Sequence, residues 1–418
     1  MTTMTGPFEK GTVNYSREAV LRDFRIAWRS RHCSLLGRRE VLTGRAKFGI
    51  FGAGKEVAQV AMAHAFEPGD YRAGYYRDQT LLFALGGLTV EQFFAQLYAH
   101  ADVESEPSSG GRSMTGHFAS RFLDAEGRWL DQRERYNISA DLSPVASQMP
   151  KLVGLGYASR LYRELPELGE VAARGFSREG REIAFGTIGN AGCAEGMFWE
   201  SLNAIGVLGA PVLLSIWDDG YGISVPNEYQ MVKGDLSKLL AGFRQEAGVG
   251  QGIRLERAPG WDYPQLCEIY LAAAAALRRE HVPTVIHVRE VTQPQGHSTS
   301  GSHERYKSAE RLEWEERLDC LRKMREWIER EGFATGDDLD RVVAEEEQAV
   351  LEAKDRAWAA YREPIEKEKQ ELMGLIRRAA EEAGAQEAVA PILKTLGRRP
   401  VVLRRDLMAA AQEVLVAT

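Results

Sequence analysis

Between residues 182 and 290, short apolar runs alternate with stretches whose apolar positions recur every three or four residues. REIAFGTIG, PVLLSIW, GIRLERA and PTVIHVRE read as strands, while AEGMFWESLNAIGVLG and a stretch near 263–279 read as helices. Such alternation predicts a parallel sheet with crossover helices. Upstream, Val20, Leu21, Phe24, Trp28 and Leu35 stand among arginines at helical spacings, so residues 16–45 predict an amphipathic helix or helix pair. A glycine-rich turn, KFGIFGAGKE, leads into a helix expected from about Val57 to Phe66, which Pro68-Gly69-Asp70 ends. YRAGYYRDQ then reads as a loop, and residues 101–137, dense in Gly, Ser, Asp and Arg, as a long functional loop.

Past residue 308 the β-like runs stop and charge-rich helix formers take over. A further long helix is expected from Thr335, carrying Val343, Val350, Leu351, Trp358 and Tyr361 as an intermittent stripe, with a break at Pro364. The resulting division is an N-terminal helical segment over 1–45, an α/β domain over 46–307 with a doubly wound, mostly parallel sheet, and a charged helical extension over 308–418.

Composition removes several functions. The 53 Lys and Arg against 60 Asp and Glu give a net charge of -7, which argues against a nucleic-acid surface. No run approaches the roughly 18 apolar residues of a membrane helix, and the N-terminus lacks the apolar core of an export signal, so no membrane role is expected. Cys33, Cys193, Cys267 and Cys320 are widely spaced and form no zinc pattern, which suits reduced thiols in a cytoplasmic protein. The spacing of GIFGAG, GxxGxG rather than GxGxxG, with no clear strand before it, speaks against a nicotinamide site.

The chemistry concentrates in FGTIGNAGCAEGMFWESLNAIGVLGAPVLLSIWDDGYGISVP, a strand–turn–helix–strand–acidic loop unit. Asn190 and Asp219 each follow an apolar strand, where open α/β sheets bind ligands. An amide oxygen and a carboxylate suit Mg2+, which shares its shell with phosphates and water. Gly189, Ala191 and Gly192 keep the turn small enough for backbone to approach a diphosphate, and a helix beginning near Cys193 would favour negative charge at its N-terminus.

This stretch resembles the thiamine-diphosphate motif of the decarboxylating component of 2-oxo acid dehydrogenase complexes, and YGISVP resembles their alpha subunits in particular. The likeness extends through GKEVAQVAMAHAFEPGDYRAGYYRDQ, LTVEQFFAQLYAH, LSPVASQMPKLVGLGYASRL and GHSTSGSHERYKS, over roughly residues 20–310. It implies the thiamine-diphosphate-binding fold, thiamine diphosphate and Mg2+ as cofactors, and a metal held by Asn190, Asp219 and the carbonyl of Tyr221. Asn190 stands where the family has Asp and Asp219 where it has Asn, a reciprocal exchange expected to keep the combined ligand charge. Asp218 is expected to face solvent or to accept backbone hydrogen bonds.

The resemblance also implies that Tyr76 and Arg77 serve the cofactor, with the Arg fork on the diphosphate, and that Ser143, Pro144 and Val145 hold the aminopyrimidine through backbone. It places His297 at the mouth of the active site as the catalytic candidate, an imidazole able to bind phosphate or move a proton near pH 7. His117 is a weaker channel candidate, Ser298 matches a regulatory position of some relatives, and Gln293 replaces a usual Arg. The partners implied are a beta subunit in an α2β2 assembly, which contributes a glutamate to the shared site, a lipoyl-bearing acyltransferase component, and a small 2-oxo acid such as pyruvate or a branched-chain acid. Two other readings stay open: an acetoin-type dehydrogenase of the same cofactor class, and a non-catalytic assembly or regulatory subunit.

Overall fold

The computed structural model describes residues 15–246 and 250–418, so residues 1–14 of the predicted N-terminal segment lie outside the described residues. Two compact units are present, one reaching Glu352 and the other starting at Ala353.

In the first unit the apolar runs form a six-stranded sheet in the order β2-β1-β3-β4-β8-β7. The strands are β1 Tyr71–Ala73, β2 Asn137–Ile138, β3 Ala184–Gly189, β4 Val212–Trp217, β7 Arg254–Pro259 and β8 Thr284–Arg289, with every pairing parallel. A separate antiparallel hairpin joins β5 Tyr221–Gly222 to β6 Val225–Pro226. β4 is buried at every position, as a central parallel strand covered on both faces must be. Helices Gln148–Glu164 and Gly196–Leu208 build the core that gathers Met149, Leu152, Ile188, Phe198, Leu202 and Ile216. Helices Glu56–Ala63 and Tyr263–Glu280 pack together and supply the buried Val57, Val60, Leu266 and Leu277.

The alternating strands and helices appear where the pattern predicts them, and two short strands appear where it predicts loops. β1 lies inside YRAGYYRDQ, and β2 closes the segment expected as one long loop. Residues 16–45 form a single helix, Arg17–Leu42, capped by the Ser16 hydroxyl. The first charged helices after 308, Ala309–Arg317 and Cys320–Arg330, belong to the first unit: Arg31 of helix Arg17–Leu42 pairs with Asp319 at 2.9 Å, and Trp327 packs on Tyr263 at 5.2 Å. The compositional shift at 308 and the limit of the compact unit are therefore different places.

Gly54 opens the turn before helix Glu56–Ala63 at φ +93°, and a Cβ there would lie 1.9 Å from the carbonyl oxygen of Thr292. Gly54→Ala is expected to cost about 2–3 kcal/mol, combining left-handed strain with a backbone clash that no rotamer relieves. Urea unfolding of the variant checks this; an unchanged midpoint would mean that the turn is not held against Thr292.

Helix Tyr263–Glu280 ends on His281, left-handed at φ +53°, whose Nε2 meets the carbonyl of Gly180 at 2.9 Å. Burial first, and Arg163 second, push its pKa down to about 4. The folded value lies below the usual 6.5, so the unfolded chain binds the proton first. The contribution is whole above pH 6.5 and is lost as pH falls towards 4, on the order of 2–3 kcal/mol. His281→Asn, which tolerates the left-handed backbone, is expected to flatten the stability profile in that window when unfolding is measured against pH.

The second unit is helical. Ile365, Met373, Leu396, Val402 and Leu407 form one small core, and Ile376, Ala380, Val389 and Val414 another. The break expected at Pro364 does not occur, because helix Gly336–Ala383 continues through it. The lost hydrogen bond at proline is offset by burial of the next residue, Ile365, which is 4% exposed. Among the described residues no helix is long and apolar enough to cross a membrane.

Candidate active site

From β1 the chain passes to β2 on one side, then returns to set β3 on the other side of β1. Connections leaving in opposite directions open a crevice at the carboxyl ends of the strands. Tyr75, Tyr76 and Arg77 follow β1, Asn190 follows β3, and Asp218 and Asp219 follow β4, which is why residues so distant in sequence meet. A cavity of about 470 Å³ fills the crevice. Tyr76, Arg77, Ser143, Val145, Gly189, Asn190, Ala191, Gly192, Asp219, Tyr221 and His297, the predicted site residues, all line it, as do His117 and Gln293. A larger cavity of about 1040 Å³ lies among Asp70, Glu182 and Arg278 at the opposite, amino ends of the strands, where Arg278 already pairs with Asp70 at 2.6 Å.

Arg77 is 3% exposed. Its guanidinium donates to the carbonyl of Phe51 at 2.6 Å and that of His297 at 2.9 Å, and lies 5.0 Å from the centre of the Tyr76 ring. The fork thereby clamps two loops and leaves its remaining N–H groups for a ligand. His297 is half-buried; burial first, then Arg77 and Lys55, push its pKa down to about 4. Its imidazole is neutral at pH 7, which leaves it hydrogen-bonding and proton-accepting chemistry rather than a positive charge for phosphate. His117 fixes Ser143: Nδ1–H donates to the Met114 carbonyl at 3.0 Å, so Nε2 accepts the Ser143 hydroxyl at 2.9 Å.

A polar network sets the orientation of Asn190. Asp218 accepts from His287 Nε2 at 2.9 Å, from the Gly220 N–H at 2.9 Å and from Asn227 Nδ2 at 2.9 Å. A carboxylate only accepts, so Asn227 must turn its oxygen the other way, where it accepts Asn190 Nδ2 at 2.6 Å. The same Nδ2 donates to the Tyr221 carbonyl at 2.9 Å, which leaves Asn190 Oδ1 as the free acceptor. Burial pushes the Asp218 carboxyl up, but the His287 hydrogen bond and charge and the other donors together hold it below the usual range. Asp218 therefore does not face solvent; it accepts the backbone bond and braces the ligand loop.

Asp219 accepts the Tyr221 N–H at 3.1 Å on Oδ1, and its Oδ2 lies 3.3 Å from the ammonium of Lys55. Lys55 is 1% exposed. Burial draws its pKa down, against the pull of Asp219. Sequence reasoning missed this residue, and it changes the charge argument. The reciprocal exchange keeps one anionic side chain, but Lys55 cancels that charge, so Asn190 and the Asp219–Lys55 pair are together neutral.

Two further corrections are local. The helix after the turn starts at Gly196, preceded by a 3₁₀ turn over Asn190–Ala194, instead of near Cys193. Tyr75, which the sequence analysis did not single out, lines the cavity beside Gly189 with a buried hydroxyl that has no partner among the described residues. The Thr115 hydroxyl and the Gln293 amide nitrogen are likewise buried and unsatisfied at this cavity. Buried polar groups require partners, so these three fit a polar, phosphate-bearing ligand. The oxygen set of Asn190, Asp219 and Tyr221 has the chemistry of a magnesium shell, although its charge is low.

Fold and cavity together define a cofactor-binding α/β subunit whose ligand enters at the carboxyl edge of a parallel sheet. The chain belongs to the dehydrogenase E1 component family, which matches residues 36–366. It is similar to the alpha subunit of 2-oxoisovalerate dehydrogenase of Bacillus subtilis (strain 168), 26% identical over 317 residues that cover 75% of this chain and 83% of that protein. The mitochondrial alpha subunit of the enzyme of that name from Caenorhabditis elegans is 27% identical over 367 residues, 85% of this chain and 75% of that one. Alpha subunit 1 of Arabidopsis thaliana is 25% identical over 329 residues, and the match spans 59% of its length. The chain is thus an alpha subunit of the thiamine-diphosphate-dependent 2-oxo acid dehydrogenase class, as its resemblance implied.

Proposed function

We propose that the chain anchors the cofactor for oxidative decarboxylation of a branched-chain 2-oxo acid, in an α2β2 assembly with a beta subunit that passes the acyl group to a lipoyl-bearing acyltransferase. The observation that carries this reading is the convergence of Arg77, Asn190, Asp219, Tyr221 and His297 on one cavity with unsatisfied polar walls. Between pyruvate and branched-chain acids, the relatives named for 2-oxoisovalerate favour the latter. Four buried, unpaired cysteines support a cytoplasmic site of action.

Thiamine diphosphate, when bound, supplies the carbon nucleophile and the electron sink for loss of carbon dioxide. The N–H groups that Arg77 keeps free would hold the diphosphate. Asn190 Oδ1, the Asp219 carboxylate and the Tyr221 carbonyl would hold a magnesium ion. Ser143 and Val145 would border the aminopyrimidine, with His117 fixing the Ser143 hydroxyl. His297, neutral at pH 7, would accept or relay a proton at its ring nitrogen.

Carbon dioxide release by the chain with its beta partner, thiamine diphosphate and magnesium is the test. Faster turnover with 3-methyl-2-oxobutanoate than with pyruvate is expected. Activity on acetoin alone, followed with a dye acceptor, would reassign the chain to the acetoin enzymes. Partner binding without cofactor binding would make it an assembly subunit.

A further inference from the structure

We propose that Arg311, from the charge-rich segment after residue 308, is a positioning residue of the cofactor site: its guanidinium fixes the loop Asp218–Tyr221 in the shape in which Asp219 and the Tyr221 carbonyl take a divalent metal ion. The inference rests on the thiamine-diphosphate reading above.

The backbone carbonyls of that loop can be accounted for one by one. That of Asp218 accepts the Val291 N–H at 3.2 Å, that of Gly220 the Asn227 N–H at 3.0 Å, and that of Tyr221 the Asn190 amide at 2.9 Å. The carbonyl of Asp219 is served instead from helix Ala309–Arg317, where Arg311 Nη2 donates to it at 2.7 Å. A donor that carries charge makes the stronger kind of bond. The peptide it holds also has the most leverage on the site. Gly220 follows at φ +81°, so rotation of the Asp219–Gly220 peptide would swing the Asp219 carboxylate and the Tyr221 carbonyl together.

Arg311 is itself held in place. Its Nε donates to Glu315 at 2.8 Å, and its guanidinium lies 4.4 Å from the centre of the Trp314 ring and 5.3 Å from that of Tyr221. Glu315 is 4% exposed and pairs with a second cation, Lys307, at 2.7 Å, whose ammonium lies 5.5 Å from the Tyr221 ring centre. The same carboxylate accepts the Gln293 N–H at 3.4 Å. Gln293 lines the cavity on the segment that leads to His297, so Glu315 ties that wall to the arginine that braces the metal loop. A lone exposed ion pair would be worth little, but Arg311 has a carboxylate, a carbonyl and two rings around it. It is not among the cavity walls, so it acts through Asp219 and Tyr221 without touching a ligand.

The test is Mn2+ binding to the full chain with its beta partner and saturating thiamine diphosphate, read by electron paramagnetic resonance. Arg311→Leu is expected to raise the half-saturating Mn2+ concentration about tenfold, the scale of one lost charge-assisted bond, with the number of metal sites per chain unchanged. Arg311→Lys, which keeps the charge and a donor for the carbonyl but not the fork, is expected to lose only about threefold. An arginine that merely supports the fold would behave in the opposite way, lowering the number of competent sites without moving the midpoint. That result overturns the inference, as does an unmoved midpoint at full stoichiometry. Should the leucine chain not fold, Arg311→Gln takes its place, and a midpoint within about twofold of the unmodified protein overturns the inference there too. Cofactor binding with no Mn2+ bound to the unmodified protein overturns this inference alone. Absence of thiamine-diphosphate binding to the unmodified protein, measured by calorimetry in saturating magnesium, would remove the cofactor reading itself and this inference with it.

Discussion

Arg72→Leu is expected to lower stability by at least about 3–5 kcal/mol, the range for breaking a buried ion pair, enough to leave much of the chain unfolded. Arg72 sits in β1 with a side chain wholly withdrawn from solvent. It donates to Asp78 at 2.5 Å, to both oxygens of Asp141 at 2.8 and 2.7 Å, and to the Tyr75 carbonyl at 3.1 Å. Removing the guanidinium strands two carboxylates whose side chains are 0% and 2% exposed. Leucine fills most of the volume and neutralises neither. The triple variant Arg72→Leu, Asp78→Asn, Asp141→Asn should recover much of the loss, since removing all the charges together also removes the desolvation they cause. Urea unfolding decides the matter: a single variant as stable as the original would mean that the network holds nothing together.

That network also explains why this part of the sheet was not legible in the sequence. β3, β4, β7 and β8 each carry enough consecutive apolar residues to be read as strands. β1 has three residues with an arginine in the middle, and β2 has two. Their place in the sheet depends on a charge match between positions 72, 78 and 141, which periodicity cannot register. Asn190 and Asp219 were legible for the opposite reason: each directly follows a long apolar strand, and the parallel register pairs Gly189 with Trp217.

Lys55 was hidden for a third reason. A lysine after a glycine-rich turn reads as a solvated charge, and only the partner 164 positions further along makes it internal. The charge of a site is therefore poorly read from its motif alone. The exchange at 190 and 219 looks balanced until the residue behind Asp219 is included. Tyr75 was hidden by its neighbours, because the familiar Tyr-Arg pair beside it drew the assignment.

Arg77→Leu is expected to reduce thiamine-diphosphate affinity on the order of a thousandfold, with Arg77→Lys intermediate at about ten- to a hundredfold. Lysine keeps the charge but lacks the planar fork. That fork has a second task, because the same guanidinium joins the Phe51 loop to the His297 loop. The leucine variant leaves both carbonyls without their partner, so amide exchange should quicken in residues 48–54 and 293–300 before any ligand is added. The two roles separate in one further measurement. Arg77 is the second cause of the depressed His297 pKa, after burial. Its removal should raise the His297 value from about 4 towards 6.5, without reaching it while the ring stays half-buried and Lys55 remains. Titration of His297 by nuclear magnetic resonance, unmodified against Arg77→Leu, reads this shift independently of cofactor. An unmoved His297 combined with a lost affinity would place the guanidinium on the ligand but not over the imidazole. A moved His297 with unchanged affinity would remove Arg77 from the diphosphate.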